Sequence, residues 1–212
     1  MGSTPISTSF LIASLAAVTL LEIVAGLASG HVDIPPIGLI IITRTLQVIV
    51  LGSLAERQPA GLATLGLGRD ALLPGLMKGL IGSAGFALAA GLLFIALLAA
   101  GQHPLQLIRS PLPESPYQRA LFFMAGGMVA PVAEEIVFRG VIYGYLRRWG
   151  KATAVLISTA LFAAFHVGPA LPVTQIIGGV VFAIAYQASG SLITPIVIHG
   201  LGNLAIFTLS MC

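Results

Sequence analysis

The chain is written in long apolar runs broken by short polar stretches. The runs cover about residues 9–29, 37–54, 73–100, 117–149, 152–167, 172–188 and 192–211. A helix needs roughly 20 apolar residues to cross a bilayer, and most of these runs are near that length. An outer-membrane barrel would instead show short segments of alternating polarity. The pattern therefore predicts an all-α polytopic membrane bundle of about seven transmembrane helices, with six to eight compatible. No internal repeat is visible, so residues 1–212 read as a single integral membrane domain. The break at Gly30-His31-Val32-Asp33-Ile34-Pro35-Pro36 is a turn, and residues 102–116 form a polar, proline-rich connector. The 117–149 run is too long for one crossing, which predicts that it projects from the membrane or bends at Pro131. The glycine-rich start of the third run (Gly75, Gly79, Gly82, Gly85) predicts close helix packing.

Composition agrees with this reading. The chain is 57% hydrophobic and 8% charged, against about 25% charged residues in a soluble domain, and its mean hydropathy is +1.02. The pI near 9.4 reports orientation before nucleic-acid binding. Arg57 and Arg69 with Lys78, then Arg147, Arg148 and Lys151, fall in loops on one side of a seven-span arrangement. The positive-inside rule puts that side in the cytoplasm, with the N-terminus. Tyr143, Tyr145 and Trp149 lie where an aromatic belt belongs. The first run lacks a basic start and a small-residue cleavage site and reads as a retained helix. The single cysteine, Cys212, excludes a disulfide framework and a multi-cysteine metal site, and it is too close to the end for a prenylation box.

The polar residues inside the runs carry the chemistry. Glu22 and Arg44 interrupt the first two. The fourth holds Pro131-Val132-Ala133-Glu134-Glu135-Ile136-Val137-Phe138-Arg139. A charge at the centre of a membrane helix costs roughly 2.5–3.5 kcal/mol, so three unpaired ones would cost on the order of 8–10 kcal/mol. They must be partnered or face a wet cavity, and intramembrane ionisable residues default to a functional site. At about 100° per residue, Glu135 and Arg139 are about 40° apart and can pair, whereas Glu134 points about 140° from Arg139. The fifth run ends on Phe162-Ala163-Ala164-Phe165-His166. The seventh carries His199-Gly200-Leu201-Gly202-Asn203, with His199 and Asn203 on one face. Taken alone, each has a plain reading: a structural ion pair, an interfacial histidine, an interhelical hydrogen bond. Depth argues for one site. At about 1.5 Å per residue from the cytoplasmic end of each run, Glu134 lies at roughly 20 Å, His166 at roughly 22 Å, Asn203 at roughly 18 Å and His199 at roughly 12 Å.

A carboxylate beside an imidazole can take a proton from water. A second histidine and an amide can donate to a carbonyl oxygen as it gains charge. Those parts suffice for amide hydrolysis without a covalent intermediate. No Ser/His/Asp arrangement is evident. The same side chains could hold zinc, but no His-Glu-x-x-His helix is present and Arg139 disfavours a dication, so no metal and no cofactor are expected.

The order Glu134-Glu135-x-x-x-Arg139, Phe162-x-x-x-His166 and His199-x-x-x-Asn203, each on its own hydrophobic segment, resembles the three motifs of the CAAX protease and bacteriocin-processing (CPBP, or Abi) family of intramembrane proteases. That family includes the CAAX prenyl endopeptidases. The resemblance covers about residues 118–209, expected to be the catalytic core, and Gly66-Leu67-Gly68-Arg69 adds a weaker echo. It implies a glutamate-dependent, metal-independent endopeptidase. Glu134 with His166 would activate water, His199 and Asn203 would stabilise the oxyanion, and Glu135 and Arg139 would shape the site. The implied partners are the lipid bilayer and a membrane-associated, lipidated or sorting-tail protein substrate, with no nucleic acid. The expected location is the cell (inner) membrane of a prokaryote. The competing readings are a non-catalytic bacteriocin-immunity or membrane scaffold protein of the same family and a proton-coupled transporter, for which no duplicated halves are present.

Overall fold

The computed structural model describes residues 6–166 and 172–211, so the end of the fifth run at Val167 and Cys212 lie outside the described residues. Seven principal helices form, and among the described residues there is no strand. They are α1 (Thr8–Ala28), α2 (Pro36–Glu56), α3 (Arg69–Ala99), α4 (Pro116–Trp149), α5 (Lys151–Ala164), α6 (Val173–Ser189) and α7 (Ile193–Leu209). The all-α bundle predicted by the apolar runs is the fold. Helices α1 to α4 are each long and apolar enough to cross a membrane, while α5, α6 and α7 are apolar but shorter. The chain is an integral membrane protein. Most large side chains of α1 and α3 face outward, as lipid-facing helices do.

The local causes are visible. Ser7 caps α1 by accepting from the Phe10 N–H at 3.1 Å, and Pro36 begins α2, where its missing N–H costs nothing. The α2–α3 link holds a 3₁₀ turn, Gly61–Leu65. It ends on Gly66 at φ +76°, where a Cβ would also come within 2.9 Å of the Tyr186 ring. The Gly66 carbonyl accepts from the Leu192 N–H at 3.0 Å, and the Leu65 carbonyl accepts from the Tyr186 hydroxyl at 3.2 Å. This loop thereby ties the start of α7 to the end of α6.

The glycine-rich start of α3 forms a seam with α7. Cβ atoms added at Gly75, Gly79 and Gly82 would come to 2.1 Å of Ser191 Oγ, 2.7 Å of Val197 Cβ and 2.9 Å of Ile198 Cδ1. The close approach lets Thr194 Oγ1 donate to the Gly75 carbonyl at 3.1 Å and Ser191 Oγ to the Ala71 carbonyl at 2.9 Å.

α4 does not break at Pro131. It passes through as one helix whose winding widens to π on both sides of the Glu134-Glu135 pair, over Ala125–Val129 and Ile136–Tyr143. Single π turns inside α-helices are frequent at functional sites. Tyr143 is not part of an aromatic belt. It faces α6, is 2% exposed and donates to Gln187 Oε1 at 2.9 Å. Trp149, 58% exposed, does reach the bundle surface, and its ring meets Tyr145 edge-on.

Gly79→Leu should lower stability by about 1–3 kcal/mol, because the new side chain has no room against α7. Gly91→Leu, where an added Cβ meets nothing within 4 Å, should stay within about 0.5 kcal/mol of the parent. Reversible unfolding in mixed detergent micelles measures both.

Candidate active site

The site is built on the α-helical interval between the two π stretches, Ala130–Glu135. Glu134 and Glu135 are adjacent there and point apart. Glu135 is fully buried. Its Oε1 accepts from Arg139 Nη1 at 2.9 Å and from His199 Nδ1 on α7 at 2.8 Å. Arg139, also 0% exposed, donates through Nη2 to the Gly179 carbonyl of α6 at 3.1 Å. One buried chain thus links α4, α7 and α6. The guanidinium lies 4.6 Å from the Phe162 ring centre, 5.3 Å from Phe182 and 5.9 Å from Phe138. Such faces attract cations most strongly where water is excluded.

Gly179 makes the α6 part possible. A Cβ there would come within 2.8 Å of Thr159 Cγ2 on α5, so glycine is what lets α6 close on α5 and bring its carbonyl to Arg139. Phe182, one turn on, stacks on the His199 ring at 4.5 Å and 17°. Phe162 meets His199 edge-on and lies 4.6 Å from the His166 ring.

Glu134 opens the other way. Its Oε2 is 3.8 Å from His166 Nε2 and 3.8 Å from His199 Nε2, close but beyond hydrogen-bond reach. The orientation of both rings is fixed from behind. His166 Nδ1 lies 2.8 Å from the Phe162 carbonyl, and a carbonyl only accepts, so Nδ1 carries the proton. His199 Nδ1 likewise donates to the Glu135 carboxylate. In its neutral form each ring therefore turns an Nε2 lone pair toward Glu134. Glu134 is 13% exposed and His166 30%, so the opening lies at the His166 end, where α5 has just finished.

Asn203 has a different neighbour. Its Nδ2 donates to the Gly126 carbonyl in the first π stretch, at 2.8 Å. Just beyond, a Cβ at Gly200 would come within 2.7 Å of the Gly127 carbonyl oxygen. α7 thus covers the loosened part of α4 with a glycine and an amide. The structure brings Glu134, Glu135, Arg139, His166 and His199 into one contact network and sets Asn203 one turn along α7 against the same helix. Sequence reasoning missed Gly179, Phe182 and the support role of Phe138. The Gly178-Gly179 pair was the available signal for the first.

Among the described residues no group of three or more His, Cys, Asp or Glu side chains is placed to hold a metal ion.

An apolar helical bundle with a polar centre that gathers two carboxylates, an arginine and two oriented imidazoles has the makings of a hydrolase working within the membrane. A family model described as type II CAAX prenyl endopeptidase Rce1-like matches residues 116–205, the stretch that holds all three motifs. The match covers under half of the chain and makes this region similar to that family. No curated protein and no solved structure matches the chain.

Removing one partner of a buried ion pair strands the other charge, at a cost of about 3–5 kcal/mol. Arg139→Met should lose that much stability, whereas Glu134→Gln, which breaks no hydrogen bond within 3.5 Å to either histidine, should leave the unfolding midpoint nearly unchanged.

Proposed function

We propose that the chain is an intramembrane endopeptidase that hydrolyses a peptide bond of a membrane-associated, lipidated or sorting-tail protein, with Glu134 as the base that activates water. The observation that carries this reading is the convergence of two oriented imidazole Nε2 atoms, each at 3.8 Å, on a carboxylate oxygen of Glu134.

Glu134 Oε2 takes a proton from a water positioned with help from His166. The oxygen attacks the scissile carbonyl carbon, and the carbonyl oxygen becomes an oxyanion. His199 donates to that oxyanion from Nε2, which requires the doubly protonated ring, and the Glu135 carboxylate on Nδ1 stabilises that cation. The second N–H of the Asn203 amide is a further donor, since only one is needed by Gly126. Glu134 then passes its proton to the leaving nitrogen as the C–N bond breaks. Glu135 and Arg139 touch no reacting atom; they position His199. Proton transfer by a placed group contributes typically 10²–10⁴-fold, and a preorganised oxyanion donor about 10²–10³-fold.

The proposed setting is the cytoplasmic membrane of a prokaryote with the basic loops inside.

Glu134→Gln should reduce cleavage of a quenched fluorescent peptide with an apolar C-terminal tail, in proteoliposomes, by at least about 10²-fold, with the fold intact by circular dichroism. Full cleavage by that variant would defeat the mechanism, and a cellular phenotype surviving Glu134→Gln would favour an immunity or scaffold role. Cleavage by the parent should persist after exhaustive chelation with phenanthroline; loss restored by zinc would transfer the chemistry to a metal held by the same histidines.

A further inference from the structure

One polar cluster plays no part in that chemistry. In α1, Glu22 Oε1 accepts from Arg44 Nη1 of α2 at 2.6 Å and from Gln47 Nε2 at 2.7 Å. Arg44 Nη1 also donates to Gln47 Oε1 at 2.9 Å. Gln47 is fully buried, but the ion pair is not: the Glu22 side chain is 47% exposed and that of Arg44 29%. Glu22 lies six residues before the end of α1, roughly 9 Å inside the helix, and Arg44 eight residues after Pro36, roughly 12 Å inside. Ile23, Val24, Ile40 and Leu46 around them are exposed apolar side chains. This is an ion pair facing lipid, which offers its remaining lone pairs and N–H groups nothing.

The surface beside it is shaped for close approach. Ala16, Thr19, Glu22 and Gly26 are all exposed on α1 at steps of three, three and four, within one stripe of the helix. A Cβ added at Gly26 meets nothing within 4 Å, so the glycine does no packing work inside one copy. Small residues at such positions let a second membrane helix come near.

We propose that two copies of this chain pair through the α1–α2 face, Glu22 of each copy meeting Arg44 of the other. The argument for a second copy is self-complementarity. A two-fold interface brings one patch against itself, and this patch carries both signs. Copies inserted the same way share a two-fold axis along the membrane normal, which keeps depths equal. Glu22 and Arg44 are level with each other, because they already pair within one copy. The two pairs close into a ring of four charges, shielded from lipid.

The test counts copies by single-molecule photobleaching of the full chain in phosphatidylcholine–phosphatidylglycerol vesicles at high lipid dilution. The parent should bleach in two steps. Gly26→Leu, which has free space within one copy, should lower the pairing constant by about tenfold or more with an unchanged thermal unfolding curve. Glu22→Lys and Arg44→Glu should each be single when alone. Co-reconstituted with different labels, they should form mixed pairs, since one then carries two cations and the other two anions. Single parent copies, pairing unmoved by Gly26→Leu, or no mixed pairs between two folded charge variants would each overturn the proposal.

Discussion

A carboxylate sealed from water has to find donors, and Glu135 finds them on two elements: Arg139, on its own helix, and His199, on α7. Arg139 in turn needs an acceptor for its second amino group and takes the Gly179 carbonyl of α6. Much of the remaining geometry gathers around that one buried carboxylate oxygen, Glu135 Oε1. α6 must come close enough to present a backbone oxygen, hence a glycine against Thr159. Aromatic faces must surround the guanidinium, hence Phe138, Phe162 and Phe182. Because His199 Nδ1 is held by Glu135, the ring presents Nε2 to Glu134. Fixing one carboxylate is what leaves its neighbour available.

The winding of α4 serves the same end. A proline inside a regular α-helix leaves a carbonyl without its donor. Here the helix has already widened to π before Pro131, and α7 meets the loosened carbonyls with the Asn203 amide and the bare backbone of Gly200. The second π stretch carries Arg139 itself. Adjacent carboxylates on one helix are thereby directed to separate tasks, and the interhelical contacts absorb the irregular backbone.

Much of this was legible in the residues. Seven apolar runs become seven helices because burial in lipid is decided by composition over 20 residues, which local irregularity cannot hide. The Glu135–Arg139 pair was readable from spacing, and the glycine seam of α3 from small residues recurring at three and four. The α6 contribution was not. Its working atom toward Arg139 is a backbone oxygen, which every residue has and no letter marks. The first π turn was hidden because its Gly126 carbonyl is met by the Asn203 amide, 77 residues away in the chain. Tyr143 misled because an aromatic beside a basic loop looks interfacial until α6 supplies Gln187 for its hydroxyl. Asn203, grouped by depth with Glu134, instead reaches back toward Gly126, since the amide answers the nearest unpaired carbonyl.

α5 has only 14 residues, about 21 Å of helix against a hydrocarbon layer of about 30 Å. α6 and α7, with 17 each, reach only about 26 Å. A bilayer relieves such a mismatch by thinning around the short elements. The dimple would fall where α5 stops, beside His166 and the exposed edge of Glu134. Headgroups and the water they carry would then be drawn down to the carboxylate, without a pore through the protein. Membrane thickness would then set how wet this carboxylate is, and a thick, ordered bilayer would keep water from the group proposed to activate it.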